Sequence, residues 1–175
     1  HLEQWLIDRY EITESLREGA DGGKAPLDPA RYVEDWDLIT EKVIRCTYRT
    51  PDATREIRPI MTVVDSAGED GVTEKAYAWY RKLRLVGLHK RVALSKGASD
   101  KKAPLFRESL VGGRNAKEKG DVPLAVFNPN MLKDTVSHGL KRESPGPGYI
   151  HLPAWLPRAF FDELQAEVRQ ADGTY

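Results

Sequence analysis

The chain has 175 residues, 40% of them apolar, which is enough material for one hydrophobic core, so we expect a single domain over residues 1–175. Its 27 basic and 27 acidic residues cancel, which excludes a global field that attracts nucleic acid or membranes and leaves only local patches. The one cysteine, Cys46, excludes an internal disulfide and a cysteine-cluster zinc site, and no apolar run approaches the ~20 residues that span a bilayer. We therefore expect a cytosolic protein without a membrane partner.

The first part of the chain predicts a strand, a loop and a helix. The Trp, Ile and Tyr content of Gln4–Ile12 indicates a strand, and the polar, glycine-containing stretch Glu14–Lys24 indicates a loop after it. Apolar residues then recur at helical spacing over Tyr32–Tyr48, where Asp28 is placed to cap the start of the helix. This helix is predicted to be amphipathic, with a charged outer face.

A carboxylate, Asp65, ends the most β-rich run of the chain, which spans Ile57–Gly68 (IRPIMTVVDSAG). Carboxylates at the end of a buried strand, beside a turn that leaves room for a ligand, are where α/β folds place metal-binding chemistry. The alternative is that Asp65 only begins a turn or caps the helix predicted over Thr73–Leu85. The inner side of that helix is predicted to carry Ala76, Tyr77, Tyr80, Leu83 and Leu85.

The second half of the chain continues the alternation of strands and helices. Ala98–Asp121 has no apolar period and is predicted to be a long surface loop. The regular elements predicted around this loop are strands at Arg91–Ser95, Pro123–Phe127 and Tyr149–Leu152, and helices at Met131–Lys141, capped by Asn128-Pro129-Asn130, and at Arg158–Gln170. The whole order, β-α-β-α-β-loop-β-α-β-α, indicates an α/β fold with a mixed or mostly parallel sheet covered by helices.

Four short motifs are spread along the chain: Trp5-Leu6-Ile7-Asp8-Arg9, Val64-Asp65-Ser66-Ala67-Gly68, Ser95-Lys96-Gly97-Ala98-Ser99 and Gly148-Tyr149-Ile150-His151-Leu152-Pro153. In this order and spacing they resemble the nuclease domain of lambda-like phage terminase large subunits. The segment Phe161–Glu167 is also similar to the one that follows the last motif in that family. The resemblance covers residues 4 to 168.

The resemblance implies an RNase H-like mixed β-sheet flanked by helices, and an endonuclease that cuts concatemeric double-stranded viral DNA during genome packaging. It also implies acidic residues around two divalent ions, Mg²⁺ or Mn²⁺, which activate a water and neutralise the leaving 3′-oxygen. Hard ions of this kind prefer carboxylate oxygens as ligands. By the motif match, Asp65 corresponds to the acid on the second acidic strand of the family, so the resemblance makes it the candidate catalytic residue and metal ligand.

Partners and location follow from the resemblance alone. It implies double-stranded DNA as substrate, and the terminase small subunit, the portal and the ATPase domain of the large subunit as partners, in the cytoplasm of the bacterial host. The sequence has no glycine-rich phosphate loop, so the packaging ATPase itself is not expected in this chain.

Two acids of the family have no counterpart in this sequence. In the family another Asp lies on a strand upstream of the segment that matches Trp5–Arg9, and this chain begins only four residues before Trp5. A third acid lies beyond the segment that matches Phe161–Glu167, in an Asn-Glu-x-x-Asp-like pattern that does not occur before Tyr175. We therefore expect a fragment of a longer large subunit, or a chain that lacks native segments at both ends. Its two-metal site is expected to be incomplete, because Asp65 alone binds Mg²⁺ weakly.

Basic residues concentrate in one part of the chain. The stretch His89–Gly120 holds nine Lys or Arg against three Asp or Glu, an excess that phosphate contacts require. Lys96 ends a strand at the sheet edge where the candidate carboxylate is expected, and its ammonium suits a phosphate contact. The alternatives are a solvated strand-end lysine and a solvated loop. The DNA contacts that we predict here are Lys96, Lys101, Lys102 and Arg107.

One more lysine, Lys133, matches a family segment that usually reads Asp-Thr-Ala-Lys. Asn130 stands in place of the carboxylate of that segment, which argues against a metal role at this position. We predict that Lys133 faces DNA, and the alternative is an ordinary exposed helix lysine.

Two other functions stay open from the sequence. A catalytically inactive RNase H-like module for DNA binding or protein interaction is favoured by the missing flanking acids and by Asn130. It is opposed by Asp65 and by the basic stretch. Another RNase H-like DNA enzyme, such as a resolvase or transposase, is disfavoured because four motifs occur in register with the terminase pattern.

Overall fold

The computed structural model describes residues 2–111 and 120–175, and it has a mixed α/β architecture. The chain divides into two compact units. The sheet unit comprises Ile12–Gly97 and Phe106–Val126, and the helical unit comprises the residues up to Glu11, Ala98–Leu105 and Phe127–Tyr175. The expectation that residues 1–175 form a single domain stays a prediction.

Ten strands and four α-helices make up the described part of the chain. The strands are β1 (Gln4–Trp5), β2 (Glu14–Glu18), β3 (Lys24–Pro26), β4 (Tyr48–Arg49), β5 (Glu56–Ile57), β6 (Thr62–Asp65), β7 (Val92–Gly97), β8 (Phe106–Val111), β9 (Val122–Phe127) and β10 (Ile150–His151). The helices are α1 (Glu34–Ile39), α2 (Val72–Leu85), α3 (Pro129–Leu140) and α4 (Arg158–Gln165), with a π-helical turn at Thr40–Ile44 and a 3₁₀ turn at Leu88–Arg91.

The strands form small sheets of both orientations. The pairs β1–β10 and β6–β7 are parallel, whereas β2–β3 and β4–β5 are antiparallel hairpins. The largest sheet has four strands in the order β6-β7-β9-β8, so β6 and β8 lie at its edges. The expected mixed α/β architecture is therefore confirmed.

Helix α2 packs against β7 and supplies the core of the sheet unit. Its buried residues Ala76, Trp79, Tyr80 and Leu83 recur at the three- and four-residue spacing that places side chains on one helix face. The helix ends where Gly87 adopts a left-handed φ of 74° and donates its N–H to the Arg84 carbonyl at 3.2 Å. The sheet residues of the same core are Val92, Leu94, Val122, Leu124 and Val126.

Trp79 joins α2 to the helix that precedes it in the chain. Its side chain is 0% exposed, and its indole Nε1 donates a hydrogen bond to Thr40 Oγ1 at 3.0 Å in the π-helical turn. The Trp36 ring of α1 lies 5.9 Å from the Trp79 ring, centre to centre. Because a buried indole N–H needs a partner, Thr40 allows Trp79 to be fully enclosed.

The hairpin β2–β3 is attached to α1 through one buried carboxylate, Asp35, whose side chain is 0% exposed. Asp35 accepts hydrogen bonds from Arg17 Nε at 3.1 Å and Nη2 at 3.0 Å, from Asp28 N at 2.7 Å, and from the Ser15 hydroxyl. Burial opposes the ionised form of Asp35, but the hydrogen bonds from Arg17 and Ser15 outweigh it and lower the pKa. The guanidinium of Arg17 also stacks on Tyr32, 3.6 Å from its ring centre.

The helical unit is built on the parallel pair β1–β10. His151 stacks on Trp5 with ring centres 3.4 Å apart, and its Nε2 lies 2.7 Å from Glu3 Oε2. Helix α3 approaches this strand pair closely at Gly139, where an added Cβ would lie 2.8 Å from the Gly148 carbonyl oxygen. Glycine is therefore required at this point of α3. None of the helices in the described part of the chain combines the length and apolar composition that crossing a bilayer requires.

Three predictions in the first part of the chain need correction. The strand predicted over Gln4–Ile12 is only the two-residue β1, because β10, its partner, is equally short. The loop predicted over Glu14–Lys24 is instead the hairpin β2–β3, in which Ser15 and Ala25 are buried. Asp28 caps no helix: it accepts from Arg31 N at 3.1 Å in a turn that precedes α1.

The predicted helices are confirmed in position and corrected in detail. The helix over Tyr32–Tyr48 is α1 continued by the π-helical turn, and the last helix ends at Gln165 rather than Gln170. Leu85 is 88% exposed, not on the inner side of α2, because it lies two residues beyond Leu83 and therefore on another face. Trp79, which the sequence prediction omitted, holds the inner position.

The loop predicted over Ala98–Asp121 contains strand β8. Phe106–Val111 is mostly exposed, so it has no apolar period that would reveal a strand. The neighbouring strand β9 supplies the hydrogen-bonding partner that makes it one. Residues 112–119 of the predicted loop lie outside the described residues.

Replacing the buried carboxylate in Asp35→Asn should lower the free energy of unfolding by about 3 kcal/mol, because it leaves the Arg17 guanidinium without its charged partner. Urea denaturation followed by circular dichroism measures this. The matched control is Glu41→Gln, which removes an exposed ion pair to Arg45 and should cost at most about 0.5 kcal/mol. Equal, small losses in both variants would contradict the role of Asp35.

The same carboxylate predicts how stability depends on pH. The folded-state pKa of Asp35 lies below its usual value of 3.8, so its contribution is complete above about pH 4 and is lost as the pH falls through the lowered value. Urea unfolding at several pH values should show a smaller acid-induced loss in Asp35→Asn than in the wild type. Parallel curves for the two proteins would show that Asp35 does not cause the acid sensitivity.

Candidate metal and nucleic-acid site

Asp65 lies at the carboxyl end of β6, an edge strand of the four-stranded sheet. The parallel register pairs Asp65 with Ser95 of β7, after Thr62 with Val92. Side chains alternate between the two faces of a strand, and on β6 Thr62 is buried whereas Asp65 is exposed. The candidate carboxylate is thus presented to solvent at the end of a strand whose other face is packed.

A hydrogen-bonded turn fixes the backbone directly after Asp65. Ser66 donates both its backbone N–H and its hydroxyl to the Ser95 carbonyl, each at 2.9 Å. Thr73 of α2 donates its hydroxyl to the Ser66 carbonyl at 2.8 Å, which ties the turn to the first turn of the helix. Ser66 is 1% exposed, so these bonds are shielded from water.

The Asp65 side chain takes part in this turn with one oxygen. Oδ1 accepts from Ala67 N at 3.0 Å, so Asp65 does begin a turn. The residue before α2 is Gly71, which provides no side-chain cap, so Asp65 does not cap that helix. Within residues 2–111 and 120–175, Oδ2 of Asp65 has no hydrogen-bond partner and is available to a ligand.

The described residues do not complete a metal centre around this carboxylate. Asp65 offers the hard oxygen that Mg²⁺ and Mn²⁺ prefer. However, across 2–111 and 120–175 no group of three or more His, Cys, Asp or Glu side chains is placed to hold a metal ion. The carboxylate oxygens of Asp65 therefore suit a divalent cation, but the described residues provide too few ligands around Asp65 to complete a metal site.

Two of the predicted DNA contacts, Lys96 and Arg107, belong to the same sheet unit as Asp65. Ser95, the register partner of Asp65, lies on the same face of the sheet as Asp65. Lys96 is the next residue of β7, so by alternation its side chain points to the opposite face. Arg107 is on β8, at the other edge of the sheet, three strand spacings or about 14 Å from β6. Both are exposed, and neither forms an ion pair with another described residue.

The other three predicted contacts, Lys101, Lys102 and Lys133, belong to the helical unit. Lys101 Nζ lies 2.8 Å from Asp172 Oδ2, and Lys133 forms an ion pair with Glu167. Lys102 is exposed and has no ion-pair partner in the part of the chain that the structure describes. Three further basic residues of the stretch, Arg114, Lys117 and Lys119, lie outside the described residues.

Asn128 is a positioning residue that the sequence prediction assigned only to a cap. Its Oδ1 accepts from Asn130 N at 3.1 Å and Met131 N at 3.3 Å, which confirms the predicted cap of α3. Its Nδ2 also donates to the carbonyls of Lys101 at 3.1 Å and Ala103 at 2.8 Å. The 1% exposed amide therefore holds the backbone that carries Lys101, a long-range contact that no local pattern predicts.

Ser66, Ser95 and Thr73 are likewise positioning residues that the sequence prediction did not single out. The available signal was that Ser66 and Ser95 each lie within one of the four motifs. The hydrogen bonds between Ser66 and Ser95 form only when β6 pairs with β7. The sequence motifs therefore indicate where these residues lie in the chain but not what they do.

Comparison with known proteins identifies one family. The model of the family described as "Terminase large subunit gpA, endonuclease domain" matches residues 1–175, the whole chain. Neither a curated protein nor a solved structure matches this chain. This match confirms the resemblance to terminase large subunits that the four motifs indicated.

Asp65→Ala should change the free energy of unfolding by less than about 1 kcal/mol, because the side chain is exposed and loses one hydrogen bond to Ala67 N. Chemical denaturation measures this, with Trp79→Ala as a sensitivity control that should cost about 3–5 kcal/mol through the cavity it leaves. If Asp65→Ala instead unfolds the protein, Asp65 is structural and its assignment to a site fails.

Proposed function

The chain belongs to the family of terminase large subunit gpA endonuclease domains, and on this basis we propose that it is a metal-dependent endonuclease that cuts concatemeric double-stranded viral DNA during genome packaging. Family membership suggests a nuclease role in phage DNA packaging. The observation that supports metal-dependent cleavage is the position of Asp65, a solvent-facing carboxylate at a strand end. One of its oxygens accepts a hydrogen bond from Ala67 N, and the other is available to a ligand.

Asp65 acts in this proposal as a carboxylate ligand to Mg²⁺ or Mn²⁺. Such an ion, when bound, polarises the scissile phosphate and lowers the pKa of a bound water. The protein contributes orientation: the hydrogen bond from Ala67 N fixes the Asp65 carboxylate, and the bonds between Ser66 and Ser95 fix its backbone. Among the described residues, no cluster of three or more His, Cys, Asp or Glu side chains is placed to hold a metal ion. The remaining donors of a two-metal site therefore have to be other groups.

An RNase H-like arrangement of the sheet belongs to the same proposal. It is supported by the parallel pair β6–β7, by the carboxylate at the end of β6, and by α2 packed against β7. Folds that bind ligands at the carboxyl ends of parallel strands place functional side chains at such an edge. The family membership makes this arrangement the expected one.

DNA binding is proposed to use exposed cations that contact the phosphate backbone. Phosphate contacts supply affinity without reading sequence, which suits a protein whose exposed basic residues are dispersed over loops, strands and a helix. The residues proposed for these contacts are Lys96, Lys101, Lys102, Arg107 and Lys133. The proposed partners are the terminase small subunit, the portal and the ATPase domain of the large subunit, in the cytoplasm of the bacterial host.

A second candidate function is favoured by one specific observation. The absence of an acidic cluster within residues 2–111 and 120–175 fits a DNA-binding or interaction module that does not cleave. Cleavage and binding measurements separate the two, because the module would bind duplex DNA and leave it intact with either metal.

Asp65→Asn should reduce Mn²⁺-dependent nicking of a supercoiled plasmid about 100-fold or more, since an amide is a poorer ligand than a carboxylate for a hard cation. The assay is performed with Mn²⁺ and with EDTA on the 175-residue chain and on a large subunit that contains it. The control is Asp52→Asn, another exposed Asp whose Oδ1 accepts from a backbone N–H two residues on, here Thr54 N at 3.2 Å. It should retain full cleavage.

The outcomes discriminate between the candidates. Cleavage by the large subunit that Asp65→Asn abolishes supports the endonuclease with Asp65 in its site. Cleavage that survives Asp65→Asn shows that the site lies elsewhere. DNA binding without cleavage in either protein favours the inactive module.

A further inference from the structure

Residues 166–175, the segment that follows α4, place their carboxylates on lysines that we propose to contact DNA. Asp172 Oδ2 lies 2.8 Å from Lys101 Nζ, and Glu167 forms an ion pair with Lys133. All of these residues belong to the helical unit. Two cations assigned to DNA phosphates are thus already paired with anions of the same chain.

Several further contacts fix where the 166–175 segment lies. Arg169 Nε is 2.8 Å from Asp134 Oδ1 on α3, and the Tyr175 hydroxyl donates to the same oxygen at 2.9 Å. The ammonium of Lys133 also lies 5.5 Å from the centre of the Tyr175 ring. The segment is therefore held along its length, and its acids reach the two lysines in a defined way.

A local turn aims the Asp172 carboxylate at its lysine. Oδ1 of Asp172 accepts from the Thr174 backbone N at 3.1 Å and from its hydroxyl at 2.7 Å, which leaves Oδ2 for Lys101. The hydrogen bonds from Lys101 and Thr174 lower the pKa of Asp172, so the carboxylate is ionised at neutral pH.

We propose that the 166–175 segment is an internal competitor of DNA, whose Glu167 and Asp172 carboxylates occupy the ammonium groups of Lys133 and Lys101 that phosphates would otherwise take. This inference rests on the proposed function. A carboxylate and a phosphate both offer anionic oxygens to an ammonium group, so each lysine pairs strongly with only one of them at a time. The two lysines bind DNA only when the segment leaves them.

The ion pairs between the lysines and the 166–175 segment are weak enough to be reversible. In the Lys101–Asp172 pair the side chains are 62% and 57% exposed, so water and salt screen the attraction. Duplex DNA carries one charge per about 1.7 Å of its axis, and can therefore replace two isolated carboxylates with a dense row of phosphates. Lys102, which has no ion pair among the described residues, is available for the first contact.

The test compares affinities for a fluorescein-labelled 20-base-pair duplex by anisotropy, in EDTA and at low salt, with the full 175-residue chain. Glu167→Gln/Asp172→Asn removes both negative charges and keeps an amide oxygen that can accept from Thr174. This variant should bind DNA about three- to tenfold more tightly than the wild type. The matched control is Glu14→Gln/Glu18→Gln on β2, which makes the same charge change at exposed residues that pair with neither lysine.

A double-mutant cycle isolates the competition from the general effect of charge. Lys101→Ala/Lys133→Ala should weaken binding more in the Glu167→Gln/Asp172→Asn background than in the wild type, because only there are the lysines free before DNA arrives. Circular dichroism of each variant confirms that the fold is retained. Since the duplex is bound in EDTA, the result does not depend on cleavage.

The outcomes separate the competition from the proposed function. Tighter binding beyond the control, with coupling in the cycle, supports the competition. Equal tightening in both acid variants, or none in either, overturns it and leaves the nuclease proposal standing. No effect of removing Lys101 and Lys133 in either background overturns the competition and their assignment to DNA, and no DNA binding by any variant overturns the proposed function as well.

Discussion

The parallel pairing of β6 with β7 is the constraint on which the candidate site depends. Paired Thr62 and Val92 are buried, and this packing against the core sets the register that brings Asp65 opposite Ser95. A one-residue slip would turn Asp65 toward the packed face, where an ionised carboxylate without a partner is costly. The core that holds α2 on β7 thereby also decides that Asp65 faces solvent.

Many of the acidic and basic residues that balance each other in the composition form ion pairs in the structure. The chain carries 27 residues of each sign, and within the described residues many of them pair. The consequences differ with burial: the enclosed carboxylate of Asp35 contributes to the stability of the sheet unit, whereas the exposed pairs of Lys101 and Lys133 contribute little. Exposed pairs are exchangeable, which is the property that the proposed replacement of carboxylates by DNA phosphates requires.

The fold was predictable where local pattern and tertiary packing agree. Helix α2 and strands β7 and β9 were located from apolar spacing, because each buries one regular face, and helix α3 was located from its Asn128 cap. The prediction was wrong for β2, β3 and β8, whose exposed or charged residues carry no apolar period. Those strands exist because the neighbouring strand or Asp35 supplies hydrogen-bond partners, and the apolar spacing of a segment does not show such partners.

The sequence by itself determined the family, through four motifs in register, and the choice of Asp65 as a strand-end carboxylate. It also determined which side chains are basic. Only the tertiary structure decided which of them are paired: Lys101 and Lys133 contact acids that follow α4 in the chain, 71 residues away in the case of Lys101 and Asp172. Likewise the pleat of β7, and no property of Lys96 itself, directs that lysine to the face opposite Asp65. Both outcomes depend on strand register and long-range packing, and these arise from the whole chain rather than from any one segment.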